Sequence, residues 1–237
     1  MPSTNVTASL QGVVGNFNFN ASSWSQIRNA SQGNITNTYT SSSNVACAIQ
    51  VDFSSSRFGS SGLLNRTFLF FDFSSISGTI TNVQLSIPGV TNSSSGVIVV
   101  SASAWGGSGG TTALTNSDFS NVSFGTNYSS CKNIWSTSTM SPNIFSLNST
   151  GISAANTNRY LNVALINCLY DNSGTTPSNG TSECSGIRFK NTSTPCFATV
   201  TDVAAGYGNE VIGVSSSDIG FVNDVATASI ANVIDVT

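Results

Sequence analysis

The segment from Arg66 to Ile87, RTFLFFDFSSISGTITNVQLSI, constrains the fold more than any other. Phe68, Leu69, Phe70, Phe71 and Phe73 form its first half. That run is apolar on both faces and too short for a buried helix, so it predicts a central strand covered on both sides. A Ser-Ser-Ile-Ser-Gly break follows. Val83, Leu85 and Ile87 then alternate with Asn82, Gln84 and Ser86, the period of a strand with one face on a core and one in water. Two strands joined by a glycine-containing break predict neighbours in one antiparallel sheet.

The rest of the chain supplies strands to match. Ser9–Val14 and the Asn-Phe-Asn-Phe-Asn stretch around Phe17 and Phe19 read as strand. Trp24 and Ile27 suit a short helical turn capped by Ser22 or Ser23. Val45, Cys47, Ile49 and Val51 fall at period two. Further strands are expected at 96–105, 128–135, 143–147, 159–170, 187–190 and 196–201. Leu114 to Phe124 reads as a helical turn followed by an edge strand, and Gly151–Asn156 as a short helix or turn. Many short strands separated by turns, with almost no long helical period, predict an all-β fold, an antiparallel β-sandwich of jelly-roll type. The expected organisation is an N-terminal arm or edge strand over 1–20, the sandwich over 21–203, and a small C-terminal tail over 204–237.

That tail repeats at eleven residues. Val211, Val222 and Val233 form one series, Val214, Val225 and Val236 a second, and Ile219 and Ile230 a third. Short repeats bury little alone and are satisfied by stacking or by partner chains. These eight residues are therefore the candidate docking or oligomerisation surface, with a homo-oligomer such as a trimer as the expectation. A frayed linker is the blander reading of the same segment.

Composition narrows the setting. Only 7% of residues are charged, against about a quarter in an ordinary soluble domain. Ser, Thr, Asn and Gly take their place, a coat suited to β surfaces outside a cell. The net charge of −3 and the scattered cations argue against nucleic acid as a partner. No apolar run approaches the ~18 residues of a membrane span. The start, MPSTNVTASL, has no basic stretch followed by an apolar one, so no signal peptide is expected. An exported-looking surface without an export signal fits release by lysis, as for a virion component, or a mature fragment carrying a new Met.

The five cysteines, Cys47, Cys131, Cys168, Cys184 and Cys196, form an odd set without a C-x-x-C pair, and the chain has no His. Zinc constellations are therefore not expected. The cysteines read either as buried free thiols or as one disulfide bracing Cys168–Cys184 or Cys184–Cys196.

In order along the chain, Arg66-x-x-Leu69-x-Phe71-Asp72-x-Ser74-x-Ile76 and Ile80-x-x-Val83-x-Leu85 resemble the core motif of the DNRLRE-type, carbohydrate-binding-module-like jelly rolls. Asp118-Phe119, Trp135, Asn143–Asn148 and Thr194–Val200 are similar to later positions of that family, and the resemblance spans about residues 20 to 203. Such modules occur in bacterial surface proteins and in virion proteins of tailed phages, notably marine and cyanobacterial ones. The tail is similar to VxGV-type repeats of phage structural and fibre proteins, although the usual Lys is absent and one Gly is Asp224. The resemblance implies a jelly roll with a structural or surface-attachment role and supplies no ligand.

Without His there is no Ser-His or Cys-His nucleophile pair. Asp52, Asp72, Asp118, Asp171 and Glu183 are the carboxylates from which a glycosidase pair would have to come, and none stands out. No enzyme activity and no cofactor are expected. Asp72 reads as a cap on the following turn. It is also a weak candidate calcium ligand, without a D-x-D-x-D cluster around it. Arg66 is expected to neutralise a carboxylate near a sheet edge. Trp24, Trp105 and Trp135 are the candidates for a sugar-stacking platform, the competing reading being that they plug the sandwich. The sequence therefore predicts a non-enzymatic virion structural protein of a tailed phage. It would sit on the virion surface as capsid or tail decoration or as a host-attachment module, with other virion proteins, itself or a host surface glycan as partners. A carbohydrate-binding module of a bacterial surface protein is the alternative.

Overall fold

The computed structural model describes residues 3–57, 59–92, 96–103, 113–138, 140–190, 193–203, 221–222 and 225–226. In chain order the elements are β1 (Ser3–Thr7), β2 (Leu10–Ala21), α1 (Trp24–Arg28), β3 (Ile35–Thr38), β4 (Ser43–Ser56), β5 (Gly59–Asp72), β6 (Thr79–Ile87), β7 (Gly89–Asn92) and β8 (Val97–Ala102). A 3-10 turn (Asn116–Ser120), β9 (Val122–Asn127), β10 (Asn143–Ser146), α2 (Ser149–Asn158) and β11 (Tyr160–Asn167) come next. A single π turn (Cys168–Asn172), β12 (Thr181–Phe189), β13 (Phe197–Val203), β14 (Phe221–Val222) and β15 (Val225–Ala226) complete the series.

Two antiparallel sheets face each other as an all-β sandwich. The smaller runs β1-β13-β6-β10, and the larger β7-β12-β4-β5-β11-β8-β9, with β2 along β5 and β3 on β2. Between them lies a first core, to which β5 sends Leu69 and Phe71 and β6 sends Val83, Leu85 and Ile87, with Phe73 added from just past the end of β5. On the other face of β5, Leu64, Phe68 and Phe70 enter a second core. It is roofed by Trp24 and Ile27 of α1, by Leu114, and by Phe119 of the 3-10 turn. The Phe-rich run is thus a mid-sheet strand covered on both sides. β11 and β8 divide in the same way, with Leu161, Val163, Leu165, Val97 and Val99 in the first core and Ala164, Ile166, Ile98 and Val100 in the second.

The structure corrects several expectations. β5 and β6 are not hydrogen-bonded neighbours: β6 pairs with β13 and β10. The break between them carries the chain across the sandwich, because the two apolar faces bury more area stacked than side by side. The expected strand at 128–135 is irregular, with one isolated bridge, Val97 to Lys132, because it must deliver both Cys131 and Trp135. Ser23 is the N-cap of α1 without a side-chain bond, and Gln26 Oε1 instead accepts from the Ser22 N–H at 2.7 Å. β1 is an edge strand on β13, whereas β2 is paired along β5 from Leu10 to Ala21.

β4 departs most from simple alternation. Ala48 and Ile49 both enter the first core, while Val51 and Phe53 enter the second. β4 pairs with β5 from Gln50 onward, and β11 takes over the same edge of β5 from Thr67 to Asp72. The sheet splits there. Asn65 Nδ2 donates to the Cys47 carbonyl at 3.0 Å and Thr67 Oγ1 to the Ala48 carbonyl at 2.8 Å, so side chains bridge the gap. Of the repeat tail, β14 and β15 form a two-residue antiparallel ladder that pairs Val222 with Val225. Val211, Val214, Ile219, Ile230, Val233 and Val236 lie outside the described residues.

Candidate functional site: an aromatic and acidic hollow on β2, β5, β4 and β12

Below the split, the cross-strand register lines up four strands. Phe17 lies opposite Leu63, Leu63 opposite Asp52, and Asp52 opposite Ser182. Directly paired residues project from the same face, so the four side chains form one row. The next row on that face is Gly15, Asn65, Gln50 and Cys184. Phe71 and Leu69 occupy the same face of β5 higher up, inside the first core. The lower end of the face carries the two mixed rows instead.

Phe17, Asp52, Ser54, Ser61, Leu63, Gly180, Thr181 and Ser182 line a hollow of about 220 Å³. The Phe17 and Phe19 rings meet edge to face with centroids 4.2 Å apart, and Phe19 is 71% exposed. The Asp52 carboxylate is held from two sides. Ser182 Oγ donates to Oδ1 at 2.8 Å and Gln50 Nε2 to Oδ2. Asn65 Nδ2 in turn donates to Gln50 Oε1 at 3.0 Å. Gly62 admits Ile27 and the Asp52 carbonyl so closely that a Cβ there would sit 2.6 and 2.8 Å from them. A half-buried ring with an exposed one packed on it, on the same face as a fixed acceptor and several hydroxyls, suits a neutral, hydroxyl-rich ligand: the rings take its C–H face and the carboxylate its O–H groups. A fixed negative charge disfavours an anionic ligand.

The expected site residues lie elsewhere. Trp24 is buried in the second core, its Nε1 donating to the Tyr170 carbonyl at 3.2 Å and its ring edge-on to Phe53. Trp135 is buried in the first core, donating to the Gly186 carbonyl at 3.1 Å and packed near Phe145. Neither presents a face to a sugar, and both plug the cores. Trp105 lies outside the described residues. Asp72 Oδ1 accepts the Ser74 N–H at 2.9 Å, a turn cap. Among the described residues no group of three or more His, Cys, Asp or Glu gathers to hold a metal.

Arg66 is not at an edge. It is buried on β5 and its partner is Asp171, equally buried, with Nε to Oδ2 at 2.8 Å and Nη2 to Oδ1 at 2.7 Å. Arg66 also donates to the carbonyls of Phe119 and Arg28, and its guanidinium lies 4.0 Å from the Phe119 ring centroid. Arg28 adds a bond to the Asp171 carbonyl at 2.6 Å and stacks 3.9 Å from the Phe124 centroid. Burial, and then the neighbouring Arg66, lower the Arg28 pKa, while Asp171 opposes them. Every donor in this network points at a fixed protein acceptor, so its work is to hold the second core closed. Asp118 is likewise spent, capping its own turn through the Thr115 N–H at 2.7 Å.

The register also bears on hydrolysis. Ser182 pairs with Asp52 and Glu183 with Val51, so Asp52 and Glu183 project from opposite faces and do not converge on one bond.

The cysteines differ from both expected pairings. Cys131 is joined to Cys168, and Cys47, Cys184 and Cys196 keep their thiols. The irregular course of 128–135 brings Cys131 to the start of the π turn, a long-range placement invisible in spacing. Compared with protein-family models and with curated proteins, the chain gives no match to either.

Proposed function

We propose that this chain is a non-enzymatic structural protein of a tailed-phage virion, displayed on the capsid or tail as decoration or host-attachment module. We further infer that its contact with a host surface glycan is made in the Phe17–Asp52 hollow. The observation that carries the adhesive part is the four-strand row Phe17, Leu63, Asp52, Ser182, which puts a half-buried ring, itself packed against the exposed Phe19, on the same sheet face as a fixed carboxylate. The motif resemblance and the uncharged Ser/Thr/Asn coat support the setting. The repeat tail, Val211 through Val236, is the proposed docking surface toward a second copy or a neighbouring virion protein.

A glycan array with wild type, Phe19→Ala and Asp52→Ala tests the hollow. Binding of a neutral glycan by wild type, reduced at least ten-fold in both variants, is expected. Binding that survives both and disappears in Trp105→Ala moves the contact to the glycine-rich loop. Co-purification with intact particles separates the virion reading from its alternative, a carbohydrate-binding module of a bacterial surface protein. Light scattering of the chain with and without residues 204–237 tests the docking surface: a monomer in both cases removes it.

A further inference from the structure

We propose that Cys47 and Cys184 are the site of a second disulfide, closed by thiol–disulfide exchange with a small-molecule disulfide such as oxidised glutathione. The register between β4 and β12 creates the site. Ser185 lies opposite Ile49 and Ile187 opposite Val45, so two steps along β12 match four along β4. The surplus is a bulge at 46–48. It sends Ala48 inward beside Ile49 and leaves Cys47 close enough to hydrogen-bond the Cys184 side chain. Gly186 lets β12 lie close against the start of the bulge. A Cβ there would meet Thr91 Oγ1 at 2.4 Å and the Ala46 carbonyl at 2.5 Å.

The three remaining thiols are not equivalent. Cys47 and Cys184 are half-buried, whereas Cys196 is fully enclosed in the first core. A small disulfide in solvent reaches the first two and not the third. The Cys131–Cys168 bridge shows a fold compatible with an oxidising setting. Burial first, and then the Cys184 hydrogen bond, push the Cys47 thiol up to about 12, so Cys47 stays protonated at neutral pH and the first attack falls to Cys184. Its thiolate displaces one glutathione thiolate and forms a mixed disulfide. Cys47 then loses its proton to solvent and attacks that sulfur, releasing the second glutathione. Two protein thiols become one disulfide, and one glutathione disulfide becomes two thiols. Closure would tie β4 to β12 two residues along β12 from Ser182 and five along β4 from Asp52, but the proposal does not depend on what the hollow binds.

The test uses the full chain, incubated with oxidised glutathione at pH 8, denatured in iodoacetamide and weighed intact, with non-reducing peptide mapping. The expected result is a drop from three alkylated thiols to one, at Cys196, with a cross-linked Cys47–Cys184 peptide. In Cys184→Ser, Cys47 and Cys196 should both remain unpaired, as alkylated thiols or, at Cys47, a glutathione adduct. Three persistent thiols in the wild type, or glutathione carried on both Cys47 and Cys184, would overturn the proposal. So would a Cys47–Cys196 bridge in the variant.

Discussion

The two cores are built by different means. The first lies between two sheets and is closed mainly by alternating side chains, Leu69, Phe71, Val83, Leu85, Val163 and Phe189 among them. The second lies on the outer face of the larger sheet, where no other sheet covers it. A five-residue helix, a 3-10 turn and a π turn do so instead. Such short pieces bury little area each and carry many unpaired backbone groups. The second core is therefore fastened by charge: Arg66 and Asp171 tie β5 to the π turn, to α1 through the Arg28 carbonyl, and to the 3-10 turn through the Phe119 carbonyl. A sheet face seals itself by shape, whereas a roof of loops needs directional bonds.

Removing one charge should show this most strongly. Asp171→Ala leaves a buried guanidinium uncompensated and should cost about 3–5 kcal/mol, as much as Phe71→Ala in the first core. The double change Arg66→Met with Asp171→Leu should recover most of that loss, because an apolar pair of similar volume removes the desolvation penalty. Urea unfolding of the three variants measures this. A loss under about 1 kcal/mol for Asp171→Ala would show that the roof holds without the pair.

The disulfide is the next fastening. Cys131 and Cys168 are 37 residues apart, and Cys168 packs at the rim of the second core. Cys131→Ser should cost about 2–4 kcal/mol, again by urea unfolding. An unchanged midpoint would mean that the irregular segment is held by its other contacts.

The smallest effect belongs to the first core and appears only in alkali. Burial pushes the Cys196 thiol up to about 12 from 9.0. Below pH 9 the thiol is protonated in both folded and unfolded chains, and its contribution is intact. Above pH 9 the unfolded chain releases the proton and the folded chain keeps it, so stability falls as pH rises toward 12, by up to about 1.4 kcal/mol per pH unit. Cys196→Ala should flatten that fall between pH 9 and 11. Parallel curves for the two proteins would show that water reaches the thiol.

The parts legible in the sequence are those whose physics is local. The doubly apolar run 68–73 and the alternation at Val83, Leu85 and Ile87 announced a buried strand and a half-buried one. Phe119 and Val122 marked a turn and an edge strand, and Asp72 a cap. The partner of Arg66 was illegible because Asp171 lies 105 residues on, within a loop whose sequence resembles any other. The Cys131–Cys168 bridge was missed for the same reason. Val45, Cys47, Ile49 and Val51 looked like one face, but a bulge opposite Gly186 separates Val45 from Ile49, and where the sheet splits Ile49 enters the first core and Val51 the second. The hollow left only a faint trace: Phe17 and Phe19 alternating with Asn, on a strand whose apolar side proved to be exposed at its end.

Period and polarity along the chain were thus enough to determine an all-β sandwich with a strand buried at its centre, since hydrophobic alternation acts over neighbouring residues. Which strands pair, which charges meet and which surface is left open depend on where segments far apart in sequence come to rest. Burial constrains the sum of such contacts without naming the partners, so only the tertiary structure could place Phe17, Leu63, Asp52 and Ser182 in one row.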